Sequence, residues 1–164
     1  MEMDGRTMRD NRVQTVVGFG LLLLGCQAQA EIYGLTDDLN VGPAQDFIQS
    51  SVVCKEAITH FKMYEGLMPS FDYDARKNYL IKFYTPYVRA GSCGVIPTST
   101  AYVVGVRTAM IKKNKAPASK YVVVRVSIKG ERLYVTPDGL QQTGFEILKS
   151  IQQENRRLGA PLVQ

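Results

Sequence analysis

Cys93 lies in the stretch Gly91-Ser92-Cys93-Gly94, a glycine-flanked turn that can present a thiol to solvent. His60 is the only histidine in the chain, so it is the one imidazole able to take that thiol's proton. Cysteine–histidine chemistry of the hydrolase type is therefore the only catalytic constellation the residues offer. Metal chemistry has less to build on. One histidine and a pair of cysteines fall short of a four-ligand zinc site. The acidic pairs Asp37-Asp38 and Asp72-x-Asp74 lack the alternating spacing, glycine and terminal glutamate of a calcium loop. Gly91 and Gly94 lack the lysine and hydroxyl residue that complete a phosphate-binding loop. The expectation is no metal and no cofactor, with Cys93 and His60 as the catalytic candidates in a chain that otherwise points to binding.

The fate of that thiol depends on compartment. Val16 to Leu24 is an apolar core of nine residues, about half of what a membrane-spanning helix needs and within the range of a secretory leader. Arg6, Arg9 and Arg12 precede it, diluted by Glu2, Asp4 and Asp10, and Ala28-Gln29-Ala30 follows it with the small-x-small pattern of a cleavage site. Residues 1–30 read as a signal peptide, and 31–164 as one exported domain. A buried amino-terminal helix in a cytosolic protein is the alternative. Two processing outcomes compete: cleavage after Ala30 releases a soluble periplasmic chain, whereas Leu23-Leu24-Gly25-Cys26 resembles the bacterial lipobox and implies tethering through a lipid on Cys26. Setting Cys26 aside leaves Cys54 and Cys93, which an oxidising compartment would pair. Closing that loop contributes on the order of 3–4 kcal/mol in chain-entropy terms.

Charge divides the remaining chain. Residues 31–74 hold two lysines against eight acids, a net of −6, and residues 75–164 hold fifteen basic residues against four acids, a net of +11. A basic carboxyl half suits an acidic protein partner or an anionic lipid or envelope surface. Nucleic acid is disfavoured, since export removes the opportunity and no base-stacking signature appears. The competing possibility is that the two segments fold against each other. Tyrosine and phenylalanine crowd between Phe61 and Tyr87, in a chain without tryptophan. Tyrosine brings large area and a hydroxyll to interfaces at low entropic cost. Tyr79, Tyr84, Tyr87, Lys112, Lys113 and Lys115 are accordingly the expected partner surface.

The elements that must position these groups follow from periodicity. Phe47, Ile48, Val52, Ala57, Ile58, Phe61 and Tyr64 predict an amphipathic helix from Pro43 to Met63, with Cys54 inward. Ser70 or Asp72 caps a second helix from Tyr73 to Val88, kinked or ended near Phe83 by Pro86. Residues 97–113 fit a third helix or, through Val103, Val104 and Val106, a strand. Tyr121 to Ile128 alternates, with Val122, Val124, Val126 and Ile128 on one face. A Gly130-Glu131 turn of type II′ returns it as Arg132–Thr136, pairing Ile128 with Leu133 and Val126 with Val135. Thr136-Pro137 starts a last helix that ends before Gly159. The fold class is α+β in a single domain: amphipathic helices, one antiparallel β-hairpin and a carboxyl-terminal helix. With 45% hydrophobic and 21% charged residues, 164 residues can bury a core of their own.

Such a protein fits an accessory role in the envelope, as a secretion-system component, an inhibitor or an immunity-type protein. A thiol hydrolase and a structural envelope lipoprotein are the alternatives.

Overall fold

The computed structural model describes residues 31–36, 44–67, 72–113 and 116–160. The class is α+β. Three α-helices, α1 (Ala57–Gly66), α2 (Tyr73–Arg89) and α3 (Thr143–Arg157), pack on one sheet. Its strands are β1 (Glu31–Tyr33), β2 (Ala44–Ile48), β3 (Ser51–Cys54), β4 (Cys93–Ile96), β5 (Ser99–Lys112), β6 (Ser119–Ile128) and β7 (Glu131–Val135). The spatial order is β1-β5-β6-β7-β3-β4, with β2 also on β5, and every pairing is antiparallel. The expected hairpin is thus the centre of a larger sheet.

β5 serves two partners on one edge. Its first half pairs with β2 from Ala44↔Val103 to Ile48↔Ser99, and its last residues pair with β1 from Tyr33↔Met110 to Glu31↔Lys112. The register against β6 shifts between Val103 and Gly105, where one partner gives way to the other. A bulge bends a strand and sharpens its twist, which lets one long strand serve both neighbours. The segment that fitted helix or strand is a strand, because its β-branched run loses less side-chain freedom on a pleated surface.

The helix predicted over Pro43–Met63 is corrected. Residues 44–48 and 51–54 are strands and only Ala57–Gly66 is helical. Ile48, Val52 and Cys54 fit a period of two as well as a helical period, and ladder bonds to β5 and β4 decide between them. Cys54 still points inward and is fully buried. Pro86 does not end α2, which continues to Arg89. The proline lies in the closing turns, where it forfeits one backbone bond and its own carbonyl still accepts from Ala90 N–H at 3.0 Å. Asp72 does cap α2, accepting from the amides of Asp74 and Ala75 at 2.9 and 3.2 Å, while Ser70 lies outside the described residues.

The last helix is also shorter than predicted. Pro137–Gly139 forms a 3-10 turn, Leu140 bridges to Ile48, and α3 starts only at Thr143. The chain doubles back so closely that a β-carbon on Gly144 would collide with the Pro137 carbonyl oxygen. Its cap comes from a distant strand. Asp46 Oδ1 accepts from Gln142 N–H at 3.0 Å, and Oδ2 accepts from the amide and hydroxyl of Thr143 at 2.8 and 2.6 Å. Burial pushes the Asp46 carboxyl up, but hydrogen bonds from Thr143, Phe47 and Gln142 outweigh it and hold it below the usual value. Asn155, fully buried in α3, grips β6 through its Oδ1 on Lys120 N–H at 2.7 Å and its Nδ2 on Lys120 O at 2.9 Å. Gly159, at φ 64°, closes the helix as expected.

Both faces of β6 are covered. Val124 and Val126 join Ile48, Val103, Leu133, Val135 and Leu140 in one apolar cluster. Val123 faces the other way, with Phe61, Met63, Tyr64, Ala109 and Ile111. The β6–β7 alternation is as predicted, but the turn is Lys129-Gly130, and Ile128 pairs with Glu131, Val126 with Leu133 and Val124 with Val135. The register is offset by two residues from the expected one, so every side chain keeps its face. Lys129 at φ 51° and Gly130 at φ 86° make the type I′ geometry that matches strand twist. A lysine in that region is strained, whereas asparagine adopts it readily. Lys129→Asn is expected to raise the unfolding free energy by about 1 kcal/mol in urea titrations. An unchanged or lowered midpoint would contradict the turn assignment.

Candidate functional site

Cys93 holds no free thiol. Its sulfur is bonded to that of Cys54 across the β3–β4 pair, with Cα atoms 4.0 Å apart. The bond ties the end of α2, through the Ala90–Ser92 turn, to the β3–β4 edge of the sheet. His60 is not beside an available nucleophile either. It is fully buried in α1, and its Nε2 sits 2.9 Å from the Tyr134 carbonyl, which can only accept. Nε2 therefore carries the proton, and Nδ1 accepts from the Tyr84 hydroxyl at 2.6 Å. Burial pushes the imidazole down to about 4, against an opposing bond to Tyr134 and the Asp138 charge. Among the described residues no cluster of three or more metal-ligating side chains occurs.

The expected partner surface divides. Tyr84 is corrected: it is 6% exposed, bonded to His60, and burial raises its hydroxyl well above its usual value. Tyr79 and Tyr87 are half-buried, flanking Phe83 with ring centroids 6.1 and 5.3 Å away. Tyr79 also donates to Met63 O at 2.9 Å, which fixes the start of α2 to the end of α1. Lys113 is half-buried, donates to Leu67 O at 2.6 Å and lies 5.6 Å from the centre of the Tyr121 ring. Its cation satisfies the carboxyl end of α1, a favourable place for positive charge. Lys112 is exposed. Lys115 and Cys26 lie outside the described residues. Lys120 is engaged with Glu154 at 2.9 Å, so basic residues of the carboxyl half are partly structural.

What these attachments leave open is a groove. α2 is held along its Tyr79–Phe83–Tyr84–Tyr87 side, and the neighbouring side, with Ile81, Thr85 and Val88, faces a cavity of about 540 Å³. Val52 of β3 and Val95 of β4 line it as well, with the buried Met63 and Tyr64 of α1 and Leu67 just past its end. Thr136, Asp138 and Leu148 complete the lining. Ile81 and Val95 are 56% and 62% exposed, large values for apolar groups converging on one concavity. Arg76 and Arg89 stand at the two ends of the α2 wall. The lining is mostly apolar with few charged groups, as in sites that bind by burying a partner's apolar surface and orienting it with a few polar contacts.

Compared with known proteins, the chain matches no family model, no curated protein and no solved structure.

Sequence reasoning gives none of the groove's exposed apolar residues a part in binding. The signal lay in α2, where Ile81, Thr85 and Val88 recur at helical spacing on the side next to the aromatic stripe. Two apolar stripes on one helix, with only one needed for attachment, indicate a second surface.

The buried imidazole has a measurable consequence. The unfolded chain protonates His60 near 6.5 while the folded chain resists until about 4, so protons favour the unfolded state first. Stability is full above about 6.5, declines as pH falls through that window and levels off below the folded value. As the sole histidine is involved, urea unfolding should show a loss of about 2 kcal/mol between pH 7 and 5. A flat profile over that range would mean that His60 is not buried neutral.

Proposed function

We propose that this protein is a small exported envelope protein that works by binding another protein, which docks in the groove beside α2. The observation that carries the reading is the groove itself: an open apolar concavity of about 540 Å³ with arginines at its ends. Export is supported by the leader-like residues 1–30, and a Cys54–Cys93 disulfide is compatible with an oxidising compartment. Among the described residues no helix is long and apolar enough to cross a membrane. Binding rather than catalysis is supported by the role each chemical candidate already has. Cys93 is spent in a disulfide, and both ring nitrogens of His60 are engaged in the interior.

Of the three nominated lysines, one is turned inward, and a further cation borders the groove. Lys113 is bonded inward, Lys112 is exposed, and Arg89 borders the groove, where it favours a partner segment bearing acid. An inhibitor, an immunity-type protein and a secretion accessory would all use such a surface.

The test is photo-crosslinking in intact cells. A benzophenone side chain at Ile81 should give one discrete protein adduct recovered from the envelope. The same group at Gln153, exposed on α3, should not. Mass analysis of that adduct also reads the amino terminus, either Glu31 or lipid-modified Cys26. No adduct at Ile81, or equal adducts from both positions, would refute the groove as the docking site.

A further inference from the structure

The groove has a feature that an apolar pocket does not need, a free strand edge along its wall. β4 ends the sheet order, with β3 on one side and no strand on the other among the described residues. The alternation of an antiparallel ladder fixes which backbone groups face that free side. Lys55 N–H donates to Ser92 O at 2.9 Å, so that position is a hydrogen-bonded pair. The next pair, Cys54↔Cys93, has Cα atoms 4.0 Å apart, the close spacing of a non-bonded pair. Two residues on, Val52↔Val95 is non-bonded again. The N–H and C=O of Val95 therefore point away from β3, to the open edge, at a residue whose side chain lines the groove.

We propose that the groove takes an extended segment of a partner protein, which adds as a strand to the outer edge of β4. The inference rests on the reading of the groove as the docking site and names the binding mode and partner chemistry. Arg76 and Arg89 are thirteen residues apart on α2, about 20 Å along its axis. About six residues of extended chain span that length. Alternate side chains of an added strand fall on one face, so every second residue of the segment enters between Val95 and the Ile81–Val88 wall. Those positions call for apolar residues, and an acidic residue at the end of the segment beside Arg89 meets its guanidinium. β4 is only four residues long, so the backbone bonds set register and direction while the apolar contacts supply most of the affinity. An acyl chain would suit the same walls, but it would strip water from the Val95 N–H and C=O and return no hydrogen bond.

The mode is tested by panning a random dodecapeptide display library on the full oxidised chain and measuring the enriched peptides by fluorescence anisotropy. Enriched sequences should alternate apolar and polar residues with an acid near one end. Val95→Pro removes the outward N–H without touching a bond to β3 and should weaken binding at least tenfold. Ile81→Glu should do the same through the apolar wall, and Arg89→Glu should weaken only the acid-bearing peptides. Should the proline variant not fold, amide exchange in the unaltered chain decides: bound peptide should slow exchange at Val95 at least tenfold.

Peptides that lose affinity on Ile81→Glu but ignore Val95→Pro and leave Val95 exchange unchanged would overturn strand addition and leave the groove reading intact. Enriched peptides with apolar residues three and four apart would do likewise, since they would bind as helices. No enrichment, or peptides indifferent to Ile81→Glu, would overturn both, as would palmitate binding in the groove where peptides do not.

Discussion

The geometry of this protein turns on one buried imidazole. His60 joins three elements at once: it belongs to α1, donates to the β7 backbone at Tyr134 and accepts from Tyr84 at the middle of α2. Each bond is short, 2.9 and 2.6 Å, and neither partner nor water can replace it without disturbing a fully buried site. α2 has a single residue that is itself buried, Tyr84, and it is the one held by His60. With the Tyr79–Met63 bond at one end and the disulfide-bonded turn at the other, the helix is pinned at three places along one flank. Its other flank, with Ile81, Thr85 and Val88, lines the same cavity as Val52 of β3 and Val95 of β4. The groove is the space that this mode of attachment leaves.

Interior and surface divide the chemistry between them. Asp46 caps a helix belonging to a distant part of the chain, Asn155 completes a strand, His60 bridges helices, and Lys113 closes the end of α1. These are the residue types that suggest catalysis or ligand binding when met in a sequence, yet each is engaged by backbone or side-chain partners inside the fold. The groove is formed mostly by residues to which sequence reading gives no part in binding: Ile81, Thr85 and Val88 of α2 with Val52 and Val95 of the sheet, and two arginines at the ends of the α2 wall.

How much of this was legible follows from which signals are local. The Asp72 cap, the alternation of β6 and β7 and the Gly159 stop depend on neighbours a few residues away, and each stood out in the sequence. Pairing of Cys54 with Cys93 followed from counting once Cys26 was assigned to the leader. The strands β2 and β3 were hidden because Ile48, Val52 and Cys54 satisfy both periods, and only cross-strand partners at β5 and β4 choose between them. The hairpin turn was misplaced because Gly130 suits either turn type, and the αL conformation of Lys129 is invisible in its identity. Tyr84 was read as surface since a tyrosine's direction depends on what the opposite helix offers, here His60 across 24 residues of sequence. The groove required the full three-dimensional arrangement, because Ile81 and Val95 become neighbours only after the disulfide and the imidazole have placed α2.

That placement is most directly tested at the imidazole itself. A long-range 15N–1H spectrum of the oxidised full chain reports the protonation of both ring nitrogens of its sole histidine. The ring is expected to be neutral at pH 7 and at pH 5, with the proton on Nε2 and a hydrogen-bonded, unprotonated Nδ1 at both. An imidazolium by pH 5.5, or a pair of tautomers in rapid exchange, would contradict it, because α2 would then have no fixed anchor at its centre and the groove no fixed wall.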